Sequence, residues 1–192
     1  MTEQSFALIP FPAPALPEIT ISGQIARRNN LVVLRYSLAG DLQNIVLPAR
    51  AAPGRKDDLW KATCFEFFIA IKNRPHYWEF NLSPSGDWNV YRMDAYRRVG
   101  FREETSFQQL PFETKQAASA FELNIAVDLS PILPSQEEIE AGIAAIIQTR
   151  DGSETYWALA HPARQADFHR RESFILRLAA QTHPVEQVAP GA

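Results

Sequence analysis

The sequence predicts an all-β protein, a two-sheet antiparallel sandwich with one short helix. Three observations predict it. Apolar and polar residues alternate over Ile19–Arg27, Leu31–Leu38 and Ala118–Val127, the period of strands that bury one face. Turn signatures recur between such runs: Asn29-Asn30, Asn73-Arg74-Pro75, Ser83-Pro84-Ser85-Gly86 and Asp151-Gly152. No alternation of strands with long helical patterns is visible, so a parallel βαβ architecture is disfavoured.

The elements follow in order. Met1–Pro17 is interrupted by Pro10, Pro12, Pro14 and Pro17, which exclude a helix and predict an extended segment anchored by Phe6, Leu8, Ile9 and Phe11. Ile19–Arg27 and Leu31–Leu38 form the first hairpin. Asp41–Leu47 reads as a further strand closed by Pro48, and Ala49–Lys56 as a loop. Cys64–Ile71 and His76–Leu82 form a second hairpin, followed by a strand within Asp87–Tyr96. Arg97–Lys115 is charged and irregular. After the Ala118–Val127 strand, Ser135-Gln136-Glu137-Glu138 has the pattern of a capping box, predicting a short helix that Gly142 ends. Ile143–Thr149, Tyr156–Leu159 and Ser173–Leu178 complete the strands.

Length and composition bound the rest. The 192 residues fit one domain over 1–180, with 181–192 as a disordered tail, and 46% hydrophobic residues supply a core. A net charge of -3, with both signs spread along the chain, carries no nucleic-acid footprint. No apolar run reaches the ~18 residues of a membrane span. The first residues lack the basic region of a secretory signal, so the expected location is cytoplasmic. Cys64 is the only cysteine, which excludes an intramolecular disulfide and CxxC-type metal or haem motifs.

The chain is organised around Asp58–Gly86. Its two aromatic-rich strands each carry a polar residue among apolar ones, Glu66 in Cys64-Phe65-Glu66-Phe67-Phe68 and Asn81 after Trp78-Glu79-Phe80. Residues two apart share a strand face, so Glu66 points with Cys64 and Phe68. A carboxylate among aromatics is costly unless it is hydrogen-bonded or faces a wet concavity. Two readings stand: a ligand acceptor, or a structural pair with an arginine such as Arg92 or Arg35. Asn81 either meets the same ligand or bonds the turn at Ser83–Gly86.

Trp60-x-x-x-Cys64-Phe65-Glu66-Phe67-Phe68, with Tyr77-Trp78-Glu79-Phe80-Asn81-Leu82-Ser83-Pro84-Ser85-Gly86, resembles the family 9 carbohydrate-binding modules and their DOMON-like relatives. Tyr156-Trp157-Ala158-Leu159 and Asp167–Phe174 look like the closing motif of the same group. The resemblance covers most of the chain. It implies a β-sandwich of jelly-roll type that binds a sugar or glycan without catalysis. In such modules two indoles clamp a sugar ring while acidic and amide groups bind its hydroxyls. By that resemblance Trp60 and Trp157 are the clamp, Glu66 the acidic binder, and Asn81 and Gln148 the amides. The bland reading of both indoles is core or rim packing. Glu79 departs from the pattern, since some members carry an arginine there.

Other chemistries compete with this one. Haem b, bound by some DOMON-type relatives, would need axial ligands such as Met93 with His161 or His169. A glycan-acting enzyme would pair Glu66 with Glu79 or Asp94. His161 and His169 lack a third clustered zinc ligand, Asp57-Asp58 reads as a solvated loop rather than a calcium site, and Cys64 as a buried small hydrophobe. The expectation is no cofactor, no metal and no catalytic residue.

Overall fold

A computed structural model describes residues 3–97 and 100–179; the tail expected over 181–192 lies outside the described residues. Thirteen strands run in the order β1 (Glu3–Ala7), β2 (Ile9–Pro10), β3 (Ile19–Arg28), β4 (Leu31–Gly40), β5 (Cys64–Ile71), β6 (Tyr77–Leu82) and β7 (Trp88–Met93). They continue as β8 (Arg102–Glu103), β9 (Phe112–Gln116), β10 (Ala120–Asp128), β11 (Ile139–Gln148), β12 (Glu154–Ala158) and β13 (Leu176–Leu178). One sheet has the order β1-β3-β4-β10-β9. The other runs β2-β12-β11-β5-β6-β7-β8, with β13 also pairing β11. All strand pairings are antiparallel, so the predicted sandwich is the fold.

The two hairpins arise where the turn chemistry allows them. Asn29 and Asn73 take positive φ, 53° and 61°, a conformation that asparagine tolerates better than most residues. Between the sheets lies one core: Ile21, Ile25, Leu34 and Leu38 from the first hairpin meet Phe65, Phe67 and Phe80 from the second. Phe67 and Phe80 stack at 4.3 Å, and Phe65 stacks across the sheets on Phe121 at 5.5 Å. Tyr36 donates its hydroxyl proton across the core to the backbone carbonyl of Glu66, 2.7 Å away. Gly23 is required where β1, β3 and β4 meet, because a Cβ there would lie 1.9 Å from the Arg35 carbonyl oxygen.

The eight-stranded sheet is buried on its outer face too. Phe68, Tyr77, Met93, Phe168 and Phe174 form a second apolar layer there. This is why β5 is buried at every position.

Three expectations are corrected. The helix expected from Ser135 to Gly142 is a turn running straight into β11, and among the described residues helical geometry is confined to 3-10 turns at Leu42–Asn44, Leu59–Lys61 and Arg171–Ser173. The cause is Arg27. Its guanidinium, 4% exposed, donates to the carbonyls of Asn29, Ser135, Glu137 and Leu178 and so turns the 135–137 backbone away from helical bonding. Gly142 sits mid-strand because the Phe174 ring lies over it, 2.7 Å from where a Cβ would be. Asp41–Leu47 is not a strand: Asp41 caps the first 3-10 turn by accepting from the Gln43 amide at 3.0 Å. Finally, Arg97–Lys115 contains β8 and most of β9, whose largely polar edge residues hide the strand period.

Trp157 is part of the core between the sheets, 4% exposed, with its Nε1 donating to Thr155 Oγ1 at 3.0 Å. Trp157→Ala is therefore expected to cost about 3–5 kcal/mol of stability, measured by urea unfolding, as large-to-small core changes do. A loss below about 1 kcal/mol would contradict a core role, being closer to a surface change.

Candidate functional site

The outer face of the eight-stranded sheet carries a concavity of about 1080 Å³. Its floor is made by alternate residues of β5 and β6. Glu66 pairs in register with Asn81, and Phe68 with Glu79, so the two carboxyls sit on diagonal positions of one face. They are 3% and 6% exposed. Loops build the walls: Asp57, Asp58 and Trp60 from the segment before β5, Arg97 and Phe101 from the segment after β7, and Phe168 and His169 from the segment after β12.

Trp60 is placed by the 3-10 turn Leu59–Lys61, which Asp58 enters with φ 60°. Its indole is 47% exposed and lines the concavity. Tyr91 and Phe101 stack at 4.9 Å, and Tyr156 and Phe168 tilt together at 6.2 Å, both pairs lining the cavity.

The polar groups beneath are held in fixed directions. Asn81, 1% exposed, donates its amide to Glu79 Oε1 at 2.8 Å, and the Cys64 thiol donates weakly to Asn81 Oδ1 at 3.8 Å. Tyr91 donates its hydroxyl to Asp57 at 2.6 Å, and Asn89 donates to the same oxygen at 3.0 Å. His169 Nδ1 is 2.9 Å from the Tyr77 hydroxyl, and its Nε2 is 4.0 Å from Glu79. Among the described residues the Glu66 carboxyl has no hydrogen-bond partner and no arginine. Arg92 lies over Trp78 and pairs with Asp94, while Arg35 is on the outer face of the other sheet.

Burial and the neighbouring charge of Glu79 push the Glu66 carboxyl well above the usual carboxylate range. Burial also lifts Glu79, to about 7, against the opposing pull of the Asn81 hydrogen bond. Burial and then the Arg97 charge lower His169 to about 4, so its imidazole is neutral at pH 7. Both floor carboxyls therefore hold a proton more tightly than a free carboxylate does, beside a histidine that holds one less tightly than a free imidazole.

Of the five residues expected at the site, Trp60 and Glu66 line the concavity. Asn81 lies under it and orients Glu79 rather than facing the cavity. Gln148 lies two residues beyond Ile146 on the same face of β11, past the wall. Trp157 faces the inter-sheet core, so it is not the second clamp. Adjacent residues of a strand face opposite sides, and it is Tyr156 that looks into the cavity. Sequence reasoning missed Tyr156, Asp57, Phe101, Arg97, Phe168 and His169. The Tyr156-Trp157 pair signalled that one ring faced outward but not which; the others come from irregular loops with no spacing to read. The groups weighed for haem are separately engaged. Met93 is buried in the outer apolar layer, and His161 Nε2 is 2.9 Å from the Ile9 carbonyl oxygen.

No family model matches the chain, and no curated protein matches it. Solved structures share its fold. A protein from Bacteroides uniformis ATCC 8492, assigned provisionally to carbohydrate binding, superposes with a TM-score of 0.65 at 12% identity, covering 88% of this chain and 83% of its own. A family 9 carbohydrate-binding module from Caldicellulosiruptor kristjanssonii in complex with cellotriose gives 0.56 at 10% identity, covering 97% and 87%. One from the same organism in complex with glucose gives 0.52 at 10%, covering 92% and 84%. The chain has the β-sandwich fold of these modules.

The carboxyl pair makes stability depend on pH with a definite sign. Glu79 binds its proton more tightly folded than unfolded, so its contribution is complete below the ordinary value of 4.5 and is lost as pH rises through about 7. His169 acts oppositely, losing stability as pH falls from 6.5 toward about 4. Glu79→Gln removes the first effect, together with the Glu79 charge that helps lift Glu66, and keeps an acceptor for Asn81. Its stability relative to the parent is expected to rise by roughly 1–3 kcal/mol between pH 5 and pH 8, followed by urea unfolding at each pH. A pH-independent difference between the two proteins would refute the assignment.

Proposed function

We propose that the concavity on the eight-stranded sheet binds a saccharide, without catalysis by this chain. The observation that carries the reading is Trp60, a large indole left 47% exposed at a cavity whose floor is made of carboxyls. An exposed flat ring beside fixed hydrogen-bonding groups suits a pyranose, which has an apolar C–H face and a rim of hydroxyls. Glu66 and Glu79, fixed from below by rigid strands, supply acceptors and, where they keep a proton, a donor. Tyr91, Tyr156 and Phe168 supply further apolar wall. The bound cellotriose and glucose of the family 9 modules support a sugar as ligand for a cavity built on this fold. In this reading Asn81 acts through Glu79, and Gln148 and Trp157 take no part in binding.

A glycan array on the purified chain, followed by titration calorimetry of the sugars it retains, tests the reading. Trp60→Ala is expected to weaken binding by about 2 kcal/mol, the scale of an aromatic hot spot. The fold should persist by circular dichroism, because this indole belongs to neither apolar layer. An array without a binder, or unchanged affinity in Trp60→Ala, would overturn the proposal.

A further inference from the structure

Among the described residues, the lining of the concavity is short of positive charge. Asp57, Asp58, Glu66 and Glu79 line it, against one arginine. That arginine, Arg97, directs its Nε to Asp167 at 3.2 Å with its side chain half exposed. Asp57 is satisfied by Tyr91 and Asn89, and Asp58 holds Lys61 at 2.7 Å. The remaining two acids are the deepest. Glu79 has the Asn81 amide and a neutral histidine 4.0 Å away. Glu66 has no partner among the described residues, although it is 3% exposed and lines the cavity. A buried carboxyl without a partner is expensive, and two beside each other more so. Aromatic side chains, Trp60, Tyr91, Phe101, Tyr156 and Phe168, also line the cavity, and the Trp60 ring already has the Lys61 ammonium 5.5 Å from its centroid.

We propose that the ligand is a saccharide bearing a free, protonated amine, an amino sugar of the glucosamine type, held with its ammonium between Glu66 and Glu79. This inference rests on the saccharide reading above and narrows it. An ammonium brings three donors and a full positive charge, which satisfies both carboxyls at once. A hydroxyl satisfies one of them and leaves the charge uncompensated. An N-acetyl group removes the charge. The groups facing the ammonium are Glu66 from β5, Glu79 from β6, Tyr91 from β7, and Asp57, Arg97 and His169 from the loops. The amine enters already protonated, and the carboxyl pair releases a proton to the buffer as it becomes fully ionised. Affinity therefore rises with pH as the pair ionises and falls again once the free amine loses its proton.

The test is calorimetry on the full chain with four probes: a glucosamine oligosaccharide, its N-acetylated counterpart, a cello-oligosaccharide of the same length, and hexylamine. The glucosamine oligomer is expected to bind about tenfold or more tightly than the N-acetylated and neutral oligomers. Its enthalpy should change with the ionisation heat of the buffer, the signature of proton release. Glu66→Gln and, separately, Glu79→Gln should bring that preference down to about threefold or less. Should Glu66→Gln fail to fold, Glu79→Gln decides. Equal affinity for amine-bearing and neutral oligomers overturns the amine assignment and leaves saccharide binding standing. Hexylamine binding as tightly as the amino sugar, or no binding by any probe, overturns both.

Discussion

The rest of the structure depends on β5 being buried on both faces. In most antiparallel sandwiches one face of each strand meets water, and a polar residue there has nothing to explain. Here Phe65, Phe67 and Ile69 fill the space between the sheets, and Cys64, Glu66 and Phe68 face a second layer supplied by the C-terminal segment. Neither face can be exchanged for the other without moving Glu66 from the cavity floor into the apolar core between the sheets, so the register of β5 against β6 and β11 is fixed strongly. Tyr36 adds a check from the opposite sheet, since its hydroxyl reaches the Glu66 carbonyl only in this register. The carboxyl is thus aimed by a strand buried at every position.

The cavity above that strand has a rigid floor and irregular walls. The floor comes from two paired strands whose polar groups are fixed by each other, Asn81 on Glu79 and Cys64 on Asn81. The walls come from three loops far apart in sequence, two of them joined by the Arg97–Asp167 ion pair, with His169 held to Tyr77 of β6. Such a division places the discriminating groups on strands and the adaptable contact area on loops. It also leaves two buried acids on neighbouring positions of the floor, a costly arrangement.

The fold was legible because its signals are local. The alternation in β3, β4 and β10 and the asparagine turns belong to neighbouring residues, and so does the placement of Glu66 and Asn81 on one face of a hairpin. The site was legible only where it lies on that hairpin or just before it, as with Trp60. At Tyr156-Trp157 the period of two is certain but its phase is not, since both rings are large and apolar. Tertiary packing against Ala145 and the core set the phase. At Ser135–Gly142 a sound local capping pattern lost to a distant residue: Arg27, more than a hundred positions away, claims the carbonyls a helix would have used. His169 and Phe168 are invisible to spacing because a loop, not an element, carries them to the floor.

The path of the first ten residues has a consequence for how the chain is made. β1 joins one sheet by pairing β3, and β2 then crosses to the other and pairs β12 at Trp157 and Ala158. The partners of β1 emerge from the ribosome early, but those of β2, Trp157 and Ala158, lie about three quarters of the chain away. Closing so long a loop costs entropy that no local contact offsets beforehand, which makes this edge a late event in folding. Until it closes, β12 offers an open row of backbone donors and acceptors to any other extended chain. A nascent or partly unfolded molecule is therefore most exposed to mispairing at β12, and occupancy of that edge by β2 guards the finished protein against assembly through it.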